Sequence, residues 1–285
     1  MSTFVDQLKP LVLNVGLAVH NADWNWKNVS SPFTRIYYVT EGEAQVTLYG
    51  KTQILSSGNL YYIPAFTVHN YSCNSSFVHY YLHLYEDHES GINLLDSWNF
   101  PIEVPGTELD LILIQRLCAV NPHMSLPKSD PASYDNSLIL RQNLLRNKMR
   151  AMCDRVESRG IVYQLLAHFL KRAVKKTNLR DSRIEKAVSH INIHICDTIN
   201  LDDLAGEACL SKDHFIRLFK KETGITPLKY INQKKIERAQ LILVTDDMPV
   251  KNVAMSLSFD DYSYFNRLFK KMTGVTPQEY RSSIY

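Results

Sequence analysis

Two hydrophobic periods succeed one another along the chain. Between Phe33 and Leu84, apolar positions alternate with polar ones in short runs, the period of a strand with one face buried. The predicted strands are Arg35 to Thr40, Gln45 to Tyr49, Thr52 to Leu55, Leu60 to Pro64, Val68 to Cys73 and Phe77 to Tyr85. Glu41-Gly42, Tyr49-Gly50 and Ser56 to Asn59 are the turns between them. Even strands with such turns predict a small barrel or jelly roll. After Pro131 the apolar spacing lengthens to three and four. Leu138, Arg141, Leu145, Lys148, Met149 and Met152 mark one amphipathic segment, and Val162 to Val174, with Leu165, Leu166, Phe169 and Leu170, marks another. A polar stretch, Lys175 to Asp181, reads as a linker. Beyond it the pattern stays helical. Asp202 to Cys209, capped by Asn200, and Val250 to Leu257 are short helices, while Leu228 to Val244 is one continuous helix presenting Ile231, Ile236, Ala239 and Leu243 for packing.

The last part of the chain repeats itself. Phe215 to Pro227 returns as Phe265 to Pro277 with ten of thirteen positions identical. Two units are too few for a solenoid, so the repeat predicts a tandem pair of small recognition modules. In each copy, Phe-x-x-Leu-Phe (Phe215, Leu218, Phe219; Phe265, Leu268, Phe269) falls at i, i+3, i+4 and makes a buried stripe. The opposite face carries Asp213, Ile216, Arg217 and Lys220 in the first copy and Tyr262, Ser263, Asn266, Arg267 and Lys270 in the second. Gly224 and Gly274 suit a left-handed helix end, and Thr226-Pro227 and Thr276-Pro277 suit an N-cap followed by an N1 proline. A short helix, a tight turn and a two-faced helix make a helix-turn-helix, whose second helix enters the DNA major groove.

These residues carry a resemblance. Leu204-Ala205, Val253-Ala254, the twofold Phe-x-Arg-Leu-Phe-Lys-Lys, Thr-Gly-x-Thr-Pro, Tyr230 and Tyr280 resemble the DNA-binding domain of the AraC/XylS family of bacterial transcription regulators over the last hundred residues. Where that family usually has glycine in each turn, this chain has Cys209 and Ser258, and a left-handed residue other than glycine costs on the order of 1 kcal/mol. Base readout is expected from Arg217 and Arg267, since arginine donates two hydrogen bonds to guanine. Asn266 suits adenine and Ile216 a thymine methyl. Asp213 either accepts from cytosine or caps its helix, and Tyr262 and Ser263 suit base or phosphate. Lys212, Lys220, Lys221, Lys234, Lys235, Lys270 and Lys271 are the candidates for backbone phosphate. The family resemblance implies double-stranded DNA as partner, a homodimer built on the middle helices and a small-molecule effector, with RNA polymerase as a partner left open; a cytoplasmic location is expected from the lack of a signal-peptide pattern and of a membrane-span-length run.

In the front half, Gly58-Asn59-Leu60-Tyr61-Tyr62-Ile63-Pro64 followed by His69 resembles the second half-motif of a cupin over roughly residues 15–90, the usual N-terminal domain of the arabinose-responsive branch of that family. This resemblance implies a sugar-type ligand held by His69, Tyr71, His79 and Tyr81, with Glu41 as a further candidate. Trp24 and Trp26 either stack on a ligand or pack at the rim. Metal-binding cupins carry His-x-His on an earlier strand, but Arg35 to Thr40 has no histidine. Neither metal, cofactor nor catalytic residue is therefore expected. His79 and His83 share a strand face with Phe77 and Tyr81.

The resulting fold class is α+β: a cupin-like β-barrel (jelly roll) with dimerisation helices over 1–176, a linker at 177–182, and an all-α domain with two helix-turn-helix motifs over 183–285. Of the 285 residues, 1–140 carry six Lys/Arg against thirteen Asp/Glu, 141–182 eleven against three, and 183–285 fifteen against thirteen. The basic middle is either a solvated helical face or a contact to phosphate near the DNA. Five cysteines without metal-ligand spacing predict reduced thiols. No run reaches the length of a membrane span and the start lacks a signal-peptide pattern. Two other readings stand beside the ligand-responsive regulator: a constitutive binder whose front domain is ligand-free, and a metal-dependent cupin enzyme with a DNA-binding tail.

Overall fold

A computed structural model describes residues 8–86, 95, 98–126, 128–134, 137–175 and 181–282. The chain divides into two compact units, with the boundary between Val174 and Lys175. Of the expected linker, 176–180 lies outside the described residues. Asp181 is the N-cap and Ser182 the first residue of α4 (Ser182–Ile193), Asp181 accepting from the Arg183 amide.

Eight strands in the first unit form one antiparallel system: β1 (Pro10–Asn21), β2 (Trp26–Val29), β3 (Thr34–Leu48), β4 (Lys51–Ser56), β5 (Asn59–Ile63), β6 (His69–Ser72), β7 (Ser76–Glu86) and β8 (Glu103–Pro105). β3 is the hub. Its first half pairs with β5 and β7, and its second half pairs with β4 and β6. The Glu41-Gly42 turn expected from the sequence is instead the corner where this one strand passes from one pairing set to the other, with a bulge in the β7 ladder between Val39 and Glu41. Gly42 sits at φ +71°, and a Cβ there would lie 2.0 Å from the Ser76 carbonyl oxygen. Only glycine fits.

Alternation along the strands sends side chains to two different cores. Tyr37, Val39, Val46, Leu55, Tyr61, Ile63, Tyr71 and Phe77 fill the barrel. Ile36, Leu60, Tyr62, Leu82 and Leu84 point the other way, onto Ile114, Leu117, Val162, Leu165, Leu166 and Phe169. Those last residues belong to α1 (Glu108–Val120) and α3 (Met152–Leu170). α1 begins with a capping box, Thr107 Oγ1 accepting from the Asp110 amide and Asp110 accepting from the Thr107 amide. Between them in sequence, α2 (Ser137–Met149) buries Asn143, Leu144 and Asn147 and leaves Leu145 and Met149, two members of the stripe read from the sequence, exposed.

The second unit is helical: α4, α5 (Leu201–Glu207), α6 (Lys212–Thr223), α7 (Pro227–Thr245), α8 (Val250–Ser256), α9 (Tyr262–Thr273) and α10 (Pro277–Ser282). It has two separate hydrophobic clusters. Phe215 and Phe219 pack with Ile184, Ile191, Leu204 and Ile231, while Phe265 and Phe269 pack with Val253, Leu257, Ile236 and Leu243. α7 contributes to both, Ile231 to one and Ile236 to the other. Its nineteen residues span about 28 Å. α6 and α9 end on Gly224 and Gly274 at φ 82° and 86°, and Thr226 caps α7 ahead of Pro227.

Candidate nucleic-acid interface and barrel interior

In the second unit, α5–α6 and α8–α9 are the two helix-turn-helix pairs, and the tight turns pass through Cys209 at φ 52° and Ser258 at φ 51°. The left-handed residue expected in each turn is present without glycine. Burial of Phe215 and Phe219 fixes which side of α6 is outward, and Asp213, Arg217 and Lys220 are exposed there, with Ile216 partly so. Lys212, also exposed, pairs with Asp202 at 2.8 Å. On α9, Tyr262, Ser263, Arg267 and Lys270 are exposed, and Asn266 is partly so, its amide donating to the Tyr262 carbonyl at 3.0 Å. Arg267 lies 3.7 Å from Asp261, a solvent-exposed pair that a phosphate or base can displace at little cost. Asp213 makes no side-chain cap; Ser211 is the N-cap residue of α6. His214 and Tyr264 occupy equivalent exposed positions beside the expected readers and are not among the residues expected from the sequence.

The lysine candidates divide. Lys221, Lys270 and Lys271 are exposed. Lys234 is partly covered and bonded to Glu237 at 2.8 Å. Lys235 corrects the expectation. It is 5% exposed, donates to the carbonyls of Asp197 at 3.2 Å and Ser258 at 3.3 Å, and lies against the Phe259 ring. An ammonium so enclosed is not presented to a phosphate.

In the first unit, the inner face of β7 carries His79, Tyr81 and His83, all buried. They meet His20 from β1, Trp24 and Tyr37 around a space of about 20 Å³, room for about one water. Leu126, Ser129 and Tyr134 close one side of it. Trp24 stacks on Tyr71 at 4.0 Å, and His20, Trp24, Phe77 and His79 form a continuous ring stack. The Tyr81 hydroxyl oxygen accepts from the Leu126 amide at 2.7 Å. His20 Nε2, His79 Nδ1 and His83 Nδ1 are buried with no hydrogen-bond partner among the described residues. Burial holds all three rings below the ordinary histidine range, so they are neutral at neutral pH; the buried Arg35 lowers His83 further.

His69 and Tyr71, expected as ligand residues, are tied to one another. His69 Nδ1 donates to the Thr67 carbonyl at 2.7 Å, which leaves Nε2 to accept from the Tyr71 hydroxyl at 2.8 Å, and Tyr71 in turn bonds Tyr37 at 2.6 Å. Burial, then Arg35, lowers the His69 ring to about 3. Glu41 is exposed at the β3 corner, not in the barrel, and this overturns its place among ligand residues. Arg35, fully buried in β3 and donating to Ser31 Oγ, was read only as a strand start. A larger, solvent-open cleft of about 330 Å³ is lined by Asn25, Glu43, Gln45, Ser72 and Asn74. Its amides already serve the loops, Asn25 bonding both polar groups of the Cys73 backbone. Among the described residues no three His, Cys, Asp or Glu are grouped to hold a metal ion.

Residues 204–283 match the helix-turn-helix domain family, and residues 31–84 match the cupin domain family. The regulatory protein PocR of Salmonella typhimurium is 36% identical over 84 residues, 30% of this chain and 28% of that protein. The arabinose operon regulatory protein of Escherichia coli is 36% identical over 85 residues, 30% of this chain and 29% of that protein. The chain thus spans less than a third of the length of these relatives. ToxT from Vibrio cholerae, solved with an unsaturated fatty acid bound, superposes over 95% of this chain and 94% of its own with TM-score 0.50 at 15% identity, a likeness of fold. The chain thus carries a cupin domain followed by a helix-turn-helix domain, and the latter is similar to the corresponding part of named bacterial regulators of the arabinose type.

Proposed function

We propose that this chain is a ligand-responsive regulator that reads DNA through α6 and α9 and senses a small polar molecule, a sugar or a close relative of one, inside its barrel. The observation that supports sensing is the set of neutral, buried histidine nitrogens of His20, His79 and His83 gathered with Trp24, Tyr37 and Tyr81. Buried polar atoms without partners cost free energy, and a hydroxylated ligand offers both donors and acceptors to satisfy them. The space is far smaller than a sugar, so binding requires Trp24 to swing away from Tyr71. Ligand control then follows if the opened barrel is the state that changes DNA affinity.

The chain acts in the cytoplasm, on double-stranded DNA, as a homodimer whose second copy meets the exposed apolar side of α2 and α3. No helix of the described residues is long and apolar enough to cross a membrane.

Thermal unfolding of the full chain with sugars, sugar acids, long-chain fatty acids and divalent metals tests the sensing reading. A shift of several degrees with one sugar class, lost in His79→Ala, is expected; at one hundred times Kd a ligand adds about 2.7 kcal/mol. A response only to fatty acids, the ligand class bound in ToxT, would replace the polar ligand with an apolar one. A response to none favours the constitutive binder, and a response to metal alone favours the enzyme reading.

A further inference from the structure

The two helix-turn-helix modules have separate hydrophobic cores, and their joint along α7 is polar. Ile231 belongs to the first core and Ile236 to the second, with Lys235 between them. Lys235 Nζ bonds at once the Asp197 carbonyl, in the segment following α4 of the first module, and the Ser258 carbonyl, in the tight turn of the second. The Ser258 hydroxyl closes the ring by donating to the Cys196 carbonyl at 2.7 Å. Phe259 covers the ammonium at 5.4 Å from its ring centre. Asn232, on the same helix, bonds Tyr264 of α9 at 3.0 Å.

Ser258 gives this joint its meaning. It holds a left-handed backbone, φ 51°, where a glycine would sit without strain. Its side chain does something glycine cannot, bonding the other module sixty-two residues away. A buried ammonium shared by two carbonyls is costly to leave half-satisfied, so the arrangement holds only when both modules are in their mutual orientation.

We infer that Lys235 and Ser258 form a positioning node that locks the angle between the two reading helices and thereby sets the spacing of the two DNA segments this chain accepts. Neither residue touches DNA; both act through the placement of α6 and α9. A rigid pair binds strongly when both segments are in register and loses the second module's contribution when they are not. One inserted base pair shifts the second segment by about a tenth of a helical turn.

The inference rests on both modules reading one duplex. The test uses the full chain and a duplex that it selects from a random library, together with versions carrying one base pair inserted or deleted between the two protected segments. The unmodified chain is expected to lose at least about 100-fold on insertion. Ser258→Gly and Lys235→Met are expected to lose less than about 10-fold, at unchanged affinity for a duplex carrying one segment alone. Ser258→Gly also relieves the turn, so its melting temperature stays level or rises, separating lost orientation from lost folding. Variants as intolerant of the insertion as the unmodified chain would overturn the node, as would a loss of single-segment affinity. An unmodified chain indifferent to the insertion would overturn the two-segment reading itself.

Discussion

Lys234 and Lys235 are neighbours in the chain with the same chemistry and opposite fates. One remains at the surface beside Glu237, and the other is enclosed by two carbonyls and a ring. Sequence reading assigned both to phosphate because charge alone cannot show which side of α7 faces a second module. The two-faced helices were easier, since their Phe-x-x-Leu-Phe stripe orients every other position, and Arg217 and Arg267 emerge exposed where the spacing put them. Arg217→Ala and Arg267→Ala are each expected to weaken binding to the selected duplex by about 1–3 kcal/mol and relax one position, whereas Lys221→Ala weakens all sequences alike and reduces the salt slope by about 1. Competition against random duplex checks this, and equal losses on both would contradict base readout. The barrel histidines carry a pH signature. His69, His79 and His83 stay neutral when folded, while in the unfolded chain they bind protons near pH 6.5. Their contribution is therefore fully present above about pH 6.5 and falls below it, by up to about 1.4 kcal/mol per pH unit for each ring, until the folded state titrates in turn. Urea midpoints of the first unit should drop between about pH 7 and pH 5, and a smaller drop in His83→Phe would identify one source; a flat profile contradicts neutral burial.

Among the elements, the helix-turn-helix pairs were read almost to their ends because caps announce them: Asn200 and Thr226 before, Gly224 and Gly274 after. The barrel was read less well where strands are covered on both sides. β1 starts with a nearly continuous apolar run because its first half lies under helices and over the barrel, which erases the alternation that marks a strand. β3 was divided in two at Glu41-Gly42 because glycine there looked like a turn and is a corner. That corner gives a sharp prediction. Gly42→Ala places a methyl against the Ser76 backbone at positive φ, and a loss of more than about 2 kcal/mol in urea unfolding is expected. An alanine variant as stable as the parent would mean that β3 does not bend here. The barrel interior shows the same limit: alternation along β7 puts His79 and Tyr81 on one face and Trp24 is a sequence candidate, but His20 comes from β1, an element that only tertiary structure brings beside them.

At the scale of the whole molecule, charge and apolar surface are distributed unevenly. Residues 141–182 hold eleven basic against three acidic groups, and along the same helices Leu145, Met149, Met152 and Val156 are exposed, Met149 to 88%. Surface apolar groups clustered on adjoining helices suit a two-fold partner. Sedimentation is expected to give a dimer for the unmodified chain and a monomer for Met152→Glu combined with Val156→Glu; a dimer in both would place the interface elsewhere. The central claim is that one chain reads two successive major grooves, its two modules held along α7. The most direct measurement is a hydroxyl-radical and methylation-interference footprint of the Met152→Glu, Val156→Glu monomer on its selected duplex. The account predicts two interference segments one helical turn apart, about 10 base pairs centre to centre, with Arg217→Ala removing interference at one position of the first and Arg267→Ala at one position of the second. A single segment, altered by only one of the two substitutions, would contradict it.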